Sequence, residues 1–275
     1  MSFVANANFK VGLSLTLVVV LMAAVSLVWT PYAPAVMSPQ ERLQGPSLRH
    51  PMGTDQYGRD LFSRVMGGSV TSILAGLVTV AIGMGLGVVL GLAAAYHRGG
   101  VGEGLMRLAD LLFAFPAVLT AILITTVWGP SLTNAMLAIG IFYIPVFARL
   151  TRATAAAIWE RDFILAARAA GMREPKIIVE HILPNIVSPL IVQATIQFAV
   201  AILAEAGLSY LGLGAQPPAA SWGRMLGEAQ TFMAMAPWMA LFPGLAIAWA
   251  VLGFNLLGDG LRDILDPKMA AERHI

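Results

Sequence analysis

The sequence predicts an all-α membrane protein with six transmembrane helices in one domain that spans residues 1–275. Hydrophobic residues make up 58% of the chain and charged residues only 12%, whereas an ordinary soluble domain has about 25% charged residues. The mean hydropathy is +0.77. Long apolar gaps separate the charges, and about 20 apolar residues suffice for a helix to cross the hydrocarbon core. The absence of cysteine excludes disulfides, thiol chemistry and thiolate metal sites.

Each span is predicted from a gap between charges, because a charge at the bilayer centre costs about 2.5–3.5 kcal/mol. Five gaps are long enough to hold a span. The gap at 111–148 is too long for one helix, and the turn sequence at 128–134, Trp-Gly-Pro-Ser-Leu-Thr-Asn, divides it in two. The six predicted spans cover about 11–30, 70–96, 108–128, 132–150, 185–205 and 237–258.

The distribution of Lys and Arg predicts the orientation, because cytoplasmic segments carry an excess of both. With the N-terminus inside, the inner segments hold twelve of these residues and the outer segments five. Both termini are therefore expected in the cytoplasm. The outer segments are 31–69 and 206–236, and the inner ones include a loop at 151–184 and a tail at 259–275. No small-residue cleavage site follows residues 11–29, which favours a retained first helix over a cleaved signal peptide.

The inner loop is dense in charge, with ten charged residues from Arg149 to Glu180. Placing it in hydrocarbon would cost about 30 kcal/mol on insertion scales, so it cannot be a span. Apolar and small residues at 163, 166, 167 and 170 repeat at helical spacing. Gly171 is expected to stop this helix, and Pro175 to open a second short helix that ends near Leu183 and Pro184. The pattern alone fits equally well a helix docked on another protein and an amphipathic helix on lipid headgroups.

The same stretch resembles the cytoplasmic EAA loop of ABC importer permeases, whose pattern is Glu-Ala-Ala, three residues, Gly, nine residues, Ile, one residue, Leu-Pro. Five residues of this chain match that pattern: Ala166, Ala167, Gly171, Leu183 and Pro184. Leu165 stands in place of the glutamate and His181 in place of the isoleucine.

Other segments resemble the dipeptide, oligopeptide and nickel branch of that family. The segment at 50–64, His-Pro-Met-Gly-Thr-Asp-Gln-Tyr-Gly-Arg-Asp-Leu-Phe-Ser-Arg, is similar to the one before the second span of these permeases. Residues 208–214, 221–223, 255–263 and 265–267 are similar to later motifs, in the same order. The resemblance implies a type I ABC importer permease fold with a cytoplasmic coupling-helix loop, in a multi-pass protein of the bacterial inner membrane.

The resemblance also implies the partners. These are a sister permease that completes a heterodimer, two cytoplasmic ATPase subunits, a periplasmic substrate-binding protein and membrane lipid, with no nucleic acid. The coupling loop would sit in a cleft of an ATPase. The residues expected to contact or shape that junction are Arg161, Phe163, Ala166, Ala167, Arg168, Gly171, Met172 and Arg173.

No catalytic residue and no cofactor is expected in this chain. A phosphate-binding G-x-x-x-x-G-K-[ST] loop is absent, so ATP and Mg are expected on the partner ATPases. The four histidines form no ligand cluster by spacing, which predicts no metal site. Gly83, Gly87 and Gly91 recur every four residues and predict close helix packing.

Two polar regions remain to be assigned. In the outer segment, Thr54 or Asp55 is expected to cap a helix, and Arg59 to pair with Asp55 or Asp60 as a structural brace. Three residues of the fifth span are candidates for the translocation pathway: Gln193, Gln197 and Glu205. Glu205 could instead accept hydrogen bonds from backbone N–H groups of the loop that follows it.

The predicted function is therefore ATP-driven import of short peptides by alternating access. Import of nickel or a metal chelate is the alternative within the family. An ion-coupled secondary transporter would need intramembrane charges for coupling. A membrane-embedded enzyme would need catalytic pairs in the spans, and a structural anchor would have no use for the loop.

Overall fold

The fold is a bundle of long α-helices, and the computed structural model describes residues 7–97 and 99–265. The helices of that part are α1 (Ala7–Ser26), α2 (Leu61–Tyr96), α3 (Gly100–Phe113), α4 (Ala117–Trp128), α5 (Leu132–Trp159), α6 (Asp162–Ala169), α7 (Glu174–Ile177), α8 (Leu183–Tyr210), α9 (Trp222–Ala229) and α10 (Trp238–Leu265). Arg98 and residues 266–275 lie outside the described residues, and with them most of the predicted tail and two residues of the motif at 265–267.

Five of the described helices are long and apolar enough to cross a membrane: α1, α2, α5, α8 together with the turn before it, and α10. A sixth crossing requires α3 and α4 together, and these two helices meet at an angle of 79°. The single helix expected at 108–128 is therefore wrong. Pro116 stands at the break, as the residue before α4. A proline has no N–H to donate and disfavours helical geometry in the residue before it.

Helix α2 begins at Leu61 rather than near residue 70, because Asp60 caps it. The Asp60 carboxylate accepts a hydrogen bond of 2.8 Å from the backbone N–H of Ser63. The cap expected at Thr54 or Asp55 is therefore wrong. Helix α5 continues through Trp159 instead of ending near residue 150, so the inner loop starts later than expected.

The glycines spaced by four in α2 do allow close helix packing, as predicted. A Cβ atom on Gly83 would collide with Tyr143 Cβ, and one on Gly91 would lie 2.5 Å from the carbonyl oxygen of Ala148. Both neighbours belong to α5. The backbones of α2 and α5 therefore approach to a distance that no larger residue would permit.

A cluster of buried and partly buried charges joins the outer segment to α9. Arg59 Nε donates to Asp55 at 2.5 Å, and Arg59 Nη2 donates to Glu228 at 2.8 Å. Arg64 and Arg224 also contact Glu228, at 3.3 and 3.0 Å. The expected pairing of Arg59 with Asp55 is confirmed. The partner Glu228 comes from a distant part of the chain.

Candidate functional site

The candidate coupling loop begins where α5 ends and forms a helix with a glycine stop. Helix α6 ends in a hydrogen-bonded cap, in which Gly171 N–H donates to the carbonyl of Arg168 at 2.9 Å and Met172 N–H donates to the carbonyl of Ala167 at 3.1 Å. Gly171 has a φ of +80°, the left-handed conformation that this cap requires. The role predicted for Gly171 as the stop of this helix is confirmed.

The second arm of the loop differs from the prediction, because it does not end near Leu183. Helix α7 runs through a π-helical turn, Ile178–Ile182, directly into α8. The π-helical turn is wider than an α-helical one and so accommodates Pro184. In an α-helix the proline ring would collide with the carbonyl of Glu180, four positions earlier. The side-chain amide of Asn185 donates to the carbonyl of His181 at 2.6 Å within this turn. The loop is thus continuous with a candidate span.

The inner side of the loop packs into the main hydrophobic core. Ile164 of α6, Ile177 of α7 and Ile182 of the π turn are all fully buried, in one cluster with Trp159 and Ala167. Burial of side chains from both arms fixes the angle between them. The loop is therefore a folded unit attached to the ends of α5 and α8.

Arg168 braces the two arms from within the loop. Its guanidinium donates to the Glu174 carboxylate at 3.0 and 3.3 Å, and it lies 4.8 Å from the centre of the Trp159 ring. Arg168 is one of the residues that the resemblance predicts at the junction with an ATPase. In this structure its contacts are with the loop's own residues.

The outward side of α6 is formed by two alanines, a leucine and one aspartate. Asp162, Leu165, Ala166 and Ala169 are exposed and share the face opposite the buried one. Leu165, which replaces the glutamate of the family pattern, is 54% exposed and is absent from the predicted coupling residues. A large apolar side chain exposed on a solvated helix is the signal that identifies Leu165 as a candidate contact residue.

The eight predicted coupling residues are therefore divided between the two sides. Ala167 is only 9% exposed and points inward, whereas Phe163 is 46% exposed and lies beside the His181 ring. Met172 is half-buried. The remaining predicted residues are exposed in this chain: Arg161, Ala166, Arg168, Gly171 and Arg173.

A groove of about 440 Å³ opens between α5, α8 and α10 on the same side of the molecule as the coupling loop. Gln193 and Ser188 of α8 line it, together with Arg262 of α10. Its other lining residues are apolar: Leu150, Pro189, Val192, Ile196 and Leu265. The groove thus combines an apolar wall with two neutral polar side chains and one guanidinium group.

The other two pathway candidates are buried in this chain. Gln197 is 8% exposed, and Glu205 is fully buried. The Glu205 carboxylate accepts hydrogen bonds from the hydroxyl groups of Ser209 and Ser221, at 2.6 and 2.8 Å. These hydroxyl groups take the place of the expected backbone N–H donors. Glu205 thereby holds the loop after α8 in place.

Comparison with known proteins gives a family match and close relatives. A family model described as "binding-protein-dependent transport system inner membrane component" matches residues 87–271. The dipeptide transport system permease protein DppC of Alkalihalophilus pseudofirmus is 46% identical, over 94% of this chain and 85% of its own length. The glutathione transport system permease protein GsiD of Escherichia coli is 47% identical, over 82% of this chain and 74% of its own length.

The fold also matches a solved structure. The MetNI methionine ABC transporter, in an inward-facing conformation, superimposes with a TM-score of 0.57 at 16% identity. The match covers 73% of this chain and 97% of the other. The two chains share a fold, and the type I importer permease architecture expected from the sequence is confirmed.

Proposed function

Because this chain belongs to the family of inner membrane components of binding-protein-dependent transport systems, we propose that it forms one half of a bacterial importer for short peptides. The chain is a multi-pass membrane permease subunit of an ABC importer. The names of its relatives favour peptides as the substrate class, since they include dipeptide and glutathione permeases. Neither of these two relatives is named for nickel.

The observation that carries the mechanism is the folded loop between α5 and α8. A folded projection that exposes two alanines and a leucine can dock in a groove of another protein and transmit its motion. Its buried side is continuous with the core that holds α2, α5 and α8. Closure of two partner ATPases on ATP and Mg would push this loop and tilt the attached helices. Alternating access of the pathway to the two sides would follow.

The proposed assembly includes subunits that this chain does not provide. A sister permease would cover the groove at Gln193, and a periplasmic binding protein would deliver the substrate on the opposite side. In the bacterial inner membrane, both termini would lie in the cytoplasm.

The face of Asp162, Leu165, Ala166 and Ala169 would meet the ATPase, with Arg161, Phe163 and Arg173 beside it. Gln193 would contact the passing peptide.

Uptake measurements in the native cell test this proposal. The gene for this chain would be deleted and then restored from a plasmid, with uptake of labelled dipeptide, glutathione and nickel followed in each strain. Dipeptide uptake is expected to be lost in the deletion strain and restored by the plasmid, while nickel uptake stays unchanged in both strains. Loss of nickel uptake alone would instead support the metal importer.

A second measurement distinguishes an ATP-driven importer from an ion-coupled secondary transporter. Depletion of ATP with the membrane gradients maintained is expected to stop the uptake that depends on this chain. Uptake that continues under those conditions would support the ion-coupled secondary transporter.

A further inference from the structure

A second groove, of about 380 Å³, lies between α3 and α5 and is separate from the groove at Gln193. Its lining consists of Met106 and Asp110 of α3 with Arg149, Arg152, Ala153 and Ala156 of α5. The two alanines leave space between the helices. Two guanidinium groups and one carboxylate therefore face one cleft, which gives it a formal charge of +1.

The positive charge of this groove is only partly neutralised. Arg149 donates to Asp110 at 2.5 Å and lies 4.3 Å from the centre of the Phe113 ring. Within residues 7–97 and 99–265, no carboxylate forms an ion pair with Arg152. Arg152 is half-buried at the cleft, so its charge is available to an anion that enters there.

The depth of the two arginines along α5 fits the boundary of the hydrocarbon core. At a rise of about 1.5 Å per residue, Arg149 lies roughly 26 Å and Arg152 roughly 30 Å from the start of α5 at Leu132. The hydrocarbon core is about 30 Å thick. If α5 enters the core at its first turn, Arg149 lies just inside the inner boundary of the core and Arg152 at that boundary, from which long basic side chains extend towards the headgroups.

Helix α3 exposes apolar side chains on two sides: Phe113 lies on the groove side, beside Arg149, and Leu108 and Leu111 lie on the side away from the groove. Leu108, Leu111 and Phe113 of α3 are 58%, 57% and 44% exposed. A phospholipid has the same two parts, an anionic headgroup joined to apolar chains. An inorganic anion would use the charged cleft and leave these apolar side chains uncovered.

We propose that the groove between α3 and α5 binds the headgroup of an anionic phospholipid, with Arg152 contacting the phosphate and Arg149 supporting it. The acyl chains would extend past Phe113 and onto the exposed apolar side chains of α3. Basic pockets between transmembrane helices at the membrane surface bind anionic headgroups in this way. This site goes beyond the transport function proposed above and does not depend on the identity of the transported substrate.

Native mass spectrometry of the full chain purified in detergent tests the site. The protein would be titrated with phosphatidylglycerol and, separately, with phosphatidylcholine of the same acyl chains. A preference of about fivefold for phosphatidylglycerol in the tightest-bound lipid is expected from one basic contact. Arg152→Gln should abolish this preference, whereas Arg152→Lys should largely restore it.

Lys176→Gln is the matched control, because it removes one positive charge from the exposed coupling loop and leaves the groove intact. This variant should keep the lipid preference. Equal binding of both lipids to the unaltered protein, or an undiminished preference in Arg152→Gln, would overturn the proposal. Binding of inorganic phosphate that Arg152→Gln abolishes, with no preference for phosphatidylglycerol over phosphatidylcholine, would assign the groove to a free anion and also overturn it.

Discussion

Ala166 and Ala167 are adjacent in sequence but have opposite surroundings. Substitutions at these two positions can therefore distinguish a role in docking from a role in folding. Ala166 is exposed on the outward face of α6, and Ala167 lies in the core cluster with Trp159. We expect Ala166→Leu to change the free energy of unfolding by no more than about 0.5 kcal/mol while strongly reducing peptide uptake. Ala167→Leu should cost about 1–3 kcal/mol by overpacking the core.

Thermal unfolding of the purified chain and uptake in cells measure the two effects. Reduced uptake in Ala166→Leu with an unchanged melting temperature would support a docking face. If both variants transported peptide at the original rate, the outward face of α6 would have no role in coupling.

The sequence identifies the residues of this loop better than the side on which each one lies. Both alanines match the family pattern, and periodicity alone places Ala166 and Ala167 on the same face as Phe163. Only the packing of α6 on Ile177 and Ile182 separates them. For the same reason Gln193 and Gln197, spaced by four on one helix, differ in the structure: Gln193 lines the open groove and Gln197 is buried.

At the scale of elements, the cap of α6 depends on the backbone of Gly171. Proline would remove the N–H that donates to Arg168, and its φ of about −65° is incompatible with the observed +80°. We expect Gly171→Pro to abolish transport while the protein still inserts into the membrane. Gly171→Ala should have a weaker effect, with a local cost of about 1–2 kcal/mol.

Gly104→Ala is the control for the glycine-to-alanine change, because Gly104 lies within α3 and has open space around it. This variant should transport normally. Western blots of membrane fractions report insertion, and labelled-dipeptide uptake reports transport. Undiminished uptake in Gly171→Pro would show that the turn does not transmit motion.

Contact between α2 and α5 can be tested with two nearby glycines. A side chain on Gly83 would collide with Tyr143, whereas a Cβ atom on Gly85 would meet no neighbouring side chain or helix within 4 Å. Gly83→Ala should lower the stability of the purified chain by about 1–3 kcal/mol. Gly85→Ala should leave the melting temperature unchanged or slightly raised. Equal effects from both substitutions would contradict the observed packing.

The apolar gaps between charges predict that the long helices exist, but they predict helix ends less well. The charges that begin near residue 150 predict the end of α5 there, yet a helix can continue from the membrane into water without a change of pattern. The break at Pro116 occurs within an uncharged stretch, so the proline itself is the only signal of it. The π turn before α8 depends on tertiary packing around Ile182.

At the scale of the whole molecule, Glu228 joins segments that are far apart in sequence. Its side chain is 17% exposed and contacts three arginines, two of them in the outer segment at 31–69. Glu228→Gln would leave these arginines with fewer negative charges in a buried site. We expect a loss of about 3 kcal/mol in the free energy of unfolding.

The matched control is Glu174→Gln, which breaks an exposed ion pair with Arg168 and should cost less than about 1 kcal/mol. Thermal unfolding of both variants measures the difference. A loss for Glu228→Gln no larger than for the control would mean that the outer charge cluster contributes little to stability. The local pairing of Arg59 with Asp55 could be predicted from spacing, whereas the contact with Glu228 required the fold.

The orientation of the molecule is predicted from the distribution of Lys and Arg, and labelling can test it directly. The chain has no cysteine, so a single introduced thiol is the only target for a maleimide. Leu48 in the outer segment and Ala169 on α6 are both exposed, and both substitutions avoid buried contacts. We expect a membrane-impermeant maleimide to label Leu48→Cys in spheroplasts and Ala169→Cys only in inverted vesicles from which the partner ATPases have been removed, because Ala169 lies on the face proposed to meet them. The reverse pattern would place the loop at 151–184 outside the cell, where no cytoplasmic ATPase could reach it.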